Sequence, residues 1–198
     1  MAINSLAYVL AGGIGKRLLP LTRDRAKPAV PIAGRRIIDF VLSNLKHSGV
    51  RKILVSTQYQ TRSLHNHIMF RYLPEFGFGE DGFIELLPPQ QGPDREWYYG
   101  TANAVNQEKD YIAKENGLLD LVNIAAADHI YFMDYSQMNQ NHLNNNADLT
   151  ICALPVLRSV AANSYGVLVV NDKGKLIDFQ EKPEDPKPIP GNDKYCLG

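Results

Sequence analysis

Glycines and cations cluster early in this chain: Gly12, Gly13, Gly15, Lys16 and Arg17 follow the apolar stretch Leu6 to Leu10 without a break. Glycines at the carboxyl end of a first strand let the backbone turn tightly and approach a ligand closely, and that place favours phosphate. Between Ile14 and Phe40, seven basic residues (Lys16, Arg17, Arg23, Arg25, Lys27, Arg35 and Arg36) stand against Asp24 and Asp39 alone. A charge run is commonly no more than a solvated face. This one is interrupted by Pro20, Pro28, Pro31 and Gly34, so it reads as a loop, and loops beyond parallel strands are where α/β proteins bind ligands. The two commonest phosphate loops are excluded. A dinucleotide fingerprint read from Gly13 needs glycine where Leu18 stands, and no GxxxxGK followed by Ser or Thr is present.

Further along, Asp128 follows the apolar run Leu121 to Ala126, which puts its carboxylate at a strand's carboxyl end, where a hard oxygen ligand for Mg²⁺ belongs. The alternative for a lone aspartate is to cap the next turn. His129 beside it reads as packing or orientation, and His65 with His67 has no supporting ligand set. Cys152 and Cys196 lack CxxC or Cys/His spacing, so they read as reduced thiols rather than a disulfide or zinc site.

These groups must be carried by an alternating scaffold. Apolar strand-like runs at Leu6 to Leu10, Lys52 to Thr57 and Leu121 to Ala126 alternate with helical periods at Ile37 to Lys46 and Asn103 to Lys114, the pattern of parallel strands joined by crossover helices. The fold class is α/β, with strands covered on both faces. Past Asp148 the pattern changes: Leu149 to Val156 is strand-like, Gly166 to Asn171 and Lys175 to Glu181 form a hairpin about Asp172 to Gly174, and Pro183 to Asn192 is a loop. At 198 residues and 44% hydrophobic content the default is one large domain spanning residues 1–198. A balance of 21 basic against 21 acidic residues provides no global field for nucleic acid, and no 18-residue apolar stretch or basic leader appears, so no membrane partner and a cytoplasmic location are expected.

The string LAGGIGKRLLPLTRDRAKPAVP resembles the signature of the sugar-phosphate nucleotidylyltransferases in the long form typical of glucose-1-phosphate adenylyltransferases (ADP-glucose pyrophosphorylases). Further strings match in that family's order: IIDFVLSN from Ile37, STQYQTRSL from Ser56, LLPPQQ from Leu86, WYYGTANAV from Trp97, ADHIYFMDY from Ala127, YGVLVV from Tyr165 and DFQEKP from Asp178. The resemblance implies a Rossmann-like, mixed but mainly parallel sheet of the nucleotidyltransferase (GT-A-like) type. It also implies transfer of an adenylyl group from ATP to glucose 1-phosphate with Mg²⁺ present. Such a reaction needs positioning and charge compensation rather than a covalent nucleophile.

Carried over residue by residue, the resemblance implies that Gly12, Gly13 and Gly15 lie against the nucleotide phosphates, and that Arg17 and Lys27 stabilise the leaving pyrophosphate. Gln90, Gly100 and Thr101 fall where the family holds the base. Asp128 is the metal ligand and, with Arg17 and Lys27, a catalytic group. Tyr98, Gly166, Glu181 and Lys182 take the glucose 1-phosphate, Lys182 as a point charge that Pro183 biases to an extended conformation. The family usually has glycine where Ala127 stands, so the added methyl is expected to crowd the site. Relatives form tetramers, and in them a second metal-binding aspartate and a C-terminal left-handed β-helix follow. A chain stopping before these is expected to bind ATP weakly and to turn over poorly. Two alternatives stand beside this one: an enzyme making UDP-, dTDP- or GDP-sugars, and a non-catalytic subunit of the same fold.

Overall fold

The computed structural model describes residues 3–79, 81–90, 97–115 and 119–198. Its contacts divide the chain into two compact units, Met1–Asn146 and Ala147–Gly198. The division falls beside Asp148, where the sequence pattern changes.

The first unit is built on β1 (Ser5–Ala11), a seven-residue strand buried along almost its whole length. After it come two short paired strands, β2 (Pro31–Ile32) and β3 (Arg35–Arg36), and then α1 (Ile37–His47), β4 (Lys52–Thr57), α2 (Arg62–Arg71) and α3 (Leu73–Phe76). The unit continues with β5 (Phe78–Gly79), β6 (Gly82–Leu87), α4 (Thr101–Gln107), α5 (Lys109–Glu115), β7 (Leu121–Ala126) and α6 (Tyr135–Asn144). Five strands form one sheet in the order β5-β6-β4-β1-β7. All neighbours are parallel except β5, which runs antiparallel to β6. The mixed, mainly parallel α/β sheet implied by the sequence is therefore present.

Alternation along β1 splits the core into two layers. Ala7, Val9 and Ala11 join Ile53 and Val55 against Val41, Leu42 and Leu45 of α1 and Leu64 and Ile68 of α2. Leu6 and Tyr8 face the other way, with Leu54, Leu87 and Ile112 of α5. The expected helix over Asn103 to Lys114 is instead two, α4 and α5, broken at Glu108, whose amide bonds Val105 O at 3.2 Å while its side chain is buried. β6, α2 and α6 were not foreseen in the sequence.

The second unit is a four-stranded antiparallel sheet of β8 (Pro155–Leu157), β9 (Gly166–Val170), β10 (Leu176–Glu181) and β11 (Tyr195–Leu197) in the order β10-β9-β11-β8, with a short α7 (Arg158–Ala161). The β9–β10 hairpin turns where the sequence places it, closed by Gly174 N donating to Asn171 O at 2.9 Å with Gly174 at φ +74°. The strand expected over Leu149 to Val156 is confined to Pro155–Leu157. Apolar composition marks a segment suited to pleating, but a strand also needs a ladder, and in this unit the ladder with β11 reaches back only to Leu154, which exchanges both backbone bonds with Gly198. Between Glu181 and Tyr195 the proline-rich loop is fastened by Arg158, which donates to Pro186 O at 2.6 Å, to Asp193 O at 3.1 Å and to Asp185 Oδ1 at 2.6 Å.

One buried carboxylate ties α1 to α2 beneath the first layer. Asp39, 4% exposed, accepts from Arg36 N at 2.8 Å through Oδ2, while Tyr72 Oη donates to Oδ1 at 2.9 Å and His67 Nε2 lies 2.5 Å from the same oxygen. Burial alone would raise this carboxyl, but the hydrogen bonds of His67, Arg36 and Tyr72 outweigh it and hold it below the ordinary carboxylate value. A depressed folded-state value means that the unfolded chain takes up the proton first as pH falls. The stabilisation is then complete above the unfolded value near 4 and is lost as pH falls through the folded one. Asp39→Ala should therefore cost about 3 kcal/mol in urea unfolding at pH 7, with the gap to the parent narrowing steadily below about pH 4. A gap independent of pH would show that the carboxylate charge is not what stabilises this corner.

Candidate active site

Where the order of strands reverses about β1, two loops leave the sheet side by side. The β1–β7 register pairs Leu10 with Ala126, and Ala127 N donates to Leu10 O at 3.0 Å, so Gly12 and Asp128 emerge next to one another beyond the strand ends. A cleft of about 700 Å³ opens there, lined by the segment from Leu10 to Leu18, by Lys27 and Pro28, by Ser56 near the end of β4 with Gln58 and Tyr59 beyond it, by Tyr98–Thr101 and Ala104, and by Ala126 and Asp128.

Of the residues singled out in the sequence, Gly12, Gly13, Gly15, Arg17, Lys27, Tyr98, Gly100, Thr101 and Asp128 all line this cleft. Gln90 does not: it is exposed, with its amide donating to Pro88 O at 3.4 Å. Gln91, the last residue of LLPPQQ, lies outside the described residues. Gly166, Glu181 and Lys182 belong to the second unit.

The loop's shape is fixed at Gly15, whose φ of +70° belongs to the left-handed region and whose carbonyl accepts from Thr22 Oγ1 at 2.9 Å and Leu18 N at 3.0 Å. A Cβ at Gly15 would stand 3.1 Å from both Lys27 Cβ and Thr22 Cγ2. At Gly13 a Cβ would meet nothing within 4 Å. The three glycines therefore differ: Gly15 is demanded by the backbone, a Cβ at Gly12 would touch Gln58 at 3.5 Å, and Gly13 leaves open space along the cleft wall.

Lys27 sits in a one-turn 3₁₀ segment, Lys27–Ala29, whose Pro28 and Ala29 are buried in the protein, and its ammonium reaches Asp128 Oδ2 at 2.9 Å. Burial alone would raise the Asp128 carboxyl, but Lys27, by hydrogen bond and by charge, and His129 more weakly, hold it below the ordinary carboxylate value. His129 Nδ1 lies 3.7 Å from Asp128 Oδ1 while its ring stacks on Tyr131 with centroids 4.5 Å apart. The anticipated crowding by Ala127 does not arise, because this residue is fully buried in the core and its methyl packs inward. His65 Nε2 pairs with Thr57 Oγ1 at 2.9 Å and His67 with Asp39, so both histidines have structural partners.

Several cleft residues went unnoticed in the sequence. Gln58 donates to Tyr98 O at 3.4 Å, and Tyr59 stacks on Trp97, with centroids 6.0 Å apart and planes 14° from parallel. Both follow β4 directly, so the rule that ligands gather beyond the carboxyl ends of parallel strands would have found them once Lys52 to Thr57 was taken as a strand.

In the second unit Glu181 and Lys182 are exposed, with Oε1 and Nζ 3.6 Å apart. Lys182 is not extended: its φ is +46°. Its amide donates to Tyr165 O at 3.1 Å, and Asn163 N donates to Pro183 O at 2.9 Å, and these two bonds override the local preference of a residue before proline. Gly166 is covered by Phe179, whose Cζ would lie 2.8 Å from an added Cβ.

Fold and site define a class, and the chain belongs to it: the sequence model of the nucleotidyl transferase family matches residues 6–195. It is similar to glucose-1-phosphate adenylyltransferases, at 46% identity over 198 residues to that of Rhodopirellula baltica, covering 100% of this chain and 44% of the relative. Identity to the enzyme of Agrobacterium fabrum is 47%, over 100% of this chain and 46% of the relative. For the second such enzyme of Vibrio cholerae the figures are 44%, 98% and 47%. The chain thus spans about half the length of these curated relatives. Its fold matches a crystal structure of a putative glucose-1-phosphate thymidylyltransferase from Bacillus anthracis in complex with a sucrose. That match has a TM-score of 0.72 at 20% identity and covers 98% of this chain and 68% of the other.

The contrast among the glycines is directly measurable. Gly15→Ala should destabilise the protein by about 1–3 kcal/mol in urea unfolding, from left-handed backbone strain and contact with Lys27 and Thr22, while Gly13→Ala should stay within about 0.5 kcal/mol of the parent. Equal effects at the two positions would sink the assignment of the loop's shape to Gly15.

Proposed function

We propose that these residues form the nucleotide half of a sugar-phosphate adenylyltransferase, in which the phosphate of glucose 1-phosphate attacks the α-phosphorus of ATP and releases pyrophosphate. The observation that carries this reading is the convergence of the glycine loop, Lys27 and Asp128 in one cleft at the strand-order reversal. The names of the relatives, and not the fold neighbour at 20% identity, support adenylyl as the group transferred.

The residues divide the work by charge. Gly12 and Gly13 carry no side chain of their own on the cleft wall, which leaves their backbone amides able to approach phosphate oxygens. Arg17, exposed on the loop, and Lys27, anchored by its buried neighbours, offset the negative charge that builds on the leaving pyrophosphate. Gly100 and Thr101 line the wall where the base is placed. Within the second unit, Glu181 and Lys182 are the groups assigned to the sugar hydroxyls and sugar phosphate, and Gly166 pairs with Glu181 across the β9–β10 ladder. Tyr98 contributes its ring edge and backbone, since its hydroxyl is turned inward to Glu108 at 3.2 Å.

A magnesium ion fits the donor set. Asp128 supplies one half-exposed carboxylate, and among the described residues no cluster of three or more His, Cys, Asp or Glu competes for the role. One carboxylate shared with substrate phosphates is a usual Mg²⁺ environment. When bound, the ion would neutralise phosphate charge. Asp128 would hold the ion, and Lys27, whose ammonium lies on Asp128 Oδ2, supplies a second positive charge at the same edge of the cleft. Assembly into a homo-oligomer, a cytoplasmic setting and allosteric control belong to the same reading through the family. Among the described residues no helix is long and apolar enough to cross a membrane.

Calorimetric titration of the chain with each of the four nucleoside triphosphates in excess Mg²⁺ tests the reading, with pyrophosphate release in the presence of glucose 1-phosphate as the second measurement. ATP should bind best. Lys27→Ala should weaken ATP binding by about tenfold and lower any turnover by about 10²–10³-fold, and Asp128→Asn should abolish the Mg²⁺ dependence of binding. Preference for UTP, dTTP or GTP would reassign the base. Indifference to all four with Lys27 intact would remove the nucleotide from the cleft.

A further inference from the structure

Behind the Tyr98 wall of the cleft, three ionisable side chains share one buried space. Glu108, 5% exposed at the break between α4 and α5, accepts from Tyr98 Oη at 3.2 Å through Oε1. Tyr8, fully buried on β1, donates to Ala104 O at 3.0 Å. Burial pushes the Tyr8 hydroxyl up to about 12, with the charge of Glu108 adding to the shift, and burial with Tyr8 and Glu108 raises Tyr98 as well. Both phenols therefore keep their protons at neutral pH and remain donors.

A carboxylate is an expensive residue for such a place, because packing alone would be met by leucine or methionine without desolvating a charge. Its position suggests a use. Tyr98 opens the wall Tyr98–Thr101, its hydroxyl held by Glu108 with the Tyr8 hydroxyl beside it and its carbonyl by Gln58 at 3.4 Å, while Tyr99 N donates to Asn103 Oδ1 at 3.1 Å. Of these fastenings the one at the hydroxyl lies in the core. We infer that Glu108 is a positioning residue for ligand binding: by holding the Tyr98 hydroxyl it fixes the Tyr98–Thr101 wall against which the nucleotide lies. This rests on the assignment of the cleft to a nucleotide. Glu108 touches no substrate and acts only through Tyr98.

Trp97 is the chain's one tryptophan, stacked on Tyr59 beside this wall, so its emission reports where the wall stands with or without nucleotide. The test compares the 198-residue chain with Glu108→Ala, Glu108→Gln, Tyr98→Phe and the double variant Tyr98→Phe/Glu108→Ala. For each, the Mg·ATP dissociation constant, the nucleotide-free Trp97 emission and the urea midpoint are measured. Glu108→Ala and Tyr98→Phe should each raise the dissociation constant about tenfold and shift the emission, the double variant should be no worse than either single one, and glutamine, which keeps an acceptor, should stay within about twofold of the parent. A lowered urea midpoint with unchanged affinity and emission would reduce Glu108 to a stabilising residue and overturn the inference. So would Glu108→Gln behaving like Tyr98→Phe, a comparison that stands even where the alanine variant does not fold. If the parent chain itself binds no ATP, the nucleotide assignment falls, and Trp97 emission across the same variants still decides whether Glu108 holds the wall.

Discussion

The ladder between β1 and β7 is the constraint on which the site depends. Those strands are neighbours in space although Ala11 and Leu121 are separated by most of the first unit, and their parallel register carries one bond further to Ala127 N and Leu10 O. A shift of one residue would bring Leu6 and Tyr8 into the layer where Ala7, Val9 and Ala11 pack against α1 and α2, so the different side-chain sizes on the two buried faces of β1 enforce the register. With the register fixed, Gly12 and Asp128 have no choice but to emerge together. The chemistry at the cleft thus derives its precision from hydrophobic burial several residues away.

Charge then completes what the ladder begins. The loop after β1 brings an excess of cations to a place reached, among the described residues, by a single carboxylate, and Lys27 and Asp128 meet across 101 residues of sequence. Both are only partly shielded from water, so the pair contributes little to stability. Its value lies in position. Lys27 is held by the packing of Pro28 and Ala29, and its ammonium is kept at the cleft by an acceptor that a divalent cation can also use. The acceptor that orients the lysine is thus itself a cleft residue, so the ammonium is held where the loop meets the end of β7.

How far the sequence foretold this depends on whether the signal was local. β1, β4, β7 and α1 were legible because their apolar residues recur at regular spacing, and the glycine loop was legible because charge and glycine content are compositional. α2 and α6 escaped because each buries only two residues in its helix, Leu64 and Ile68 in one and Tyr135 and Asn139 in the other, and leaves little amphipathic signal. The break at Glu108 was invisible for a different reason: it is set by a buried carboxylate whose partner, Tyr98, is fixed only by the fold. The glutamines illustrate the same limit. Gln90 and Gln58 are both amides within family strings, yet only Gln58 follows a strand that ends at the cleft. Lys182 shows the converse, a local rule about the residue before proline overruled by two backbone bonds.

Seen energetically, the cleft's far wall and the Asp39 corner solve one problem in two ways. Asp39 is a buried carboxylate surrounded by donors, three of them, and its ionised form is favoured despite burial. Glu108 is equally buried, and among the described residues its side chain accepts the single hydrogen bond from Tyr98, so it fastens one residue where Asp39 fastens three. The carboxylate with one partner stands behind the cleft and the one with three stands beneath the helices, so the first can act on the wall through Tyr98 alone while the second braces a corner of the core.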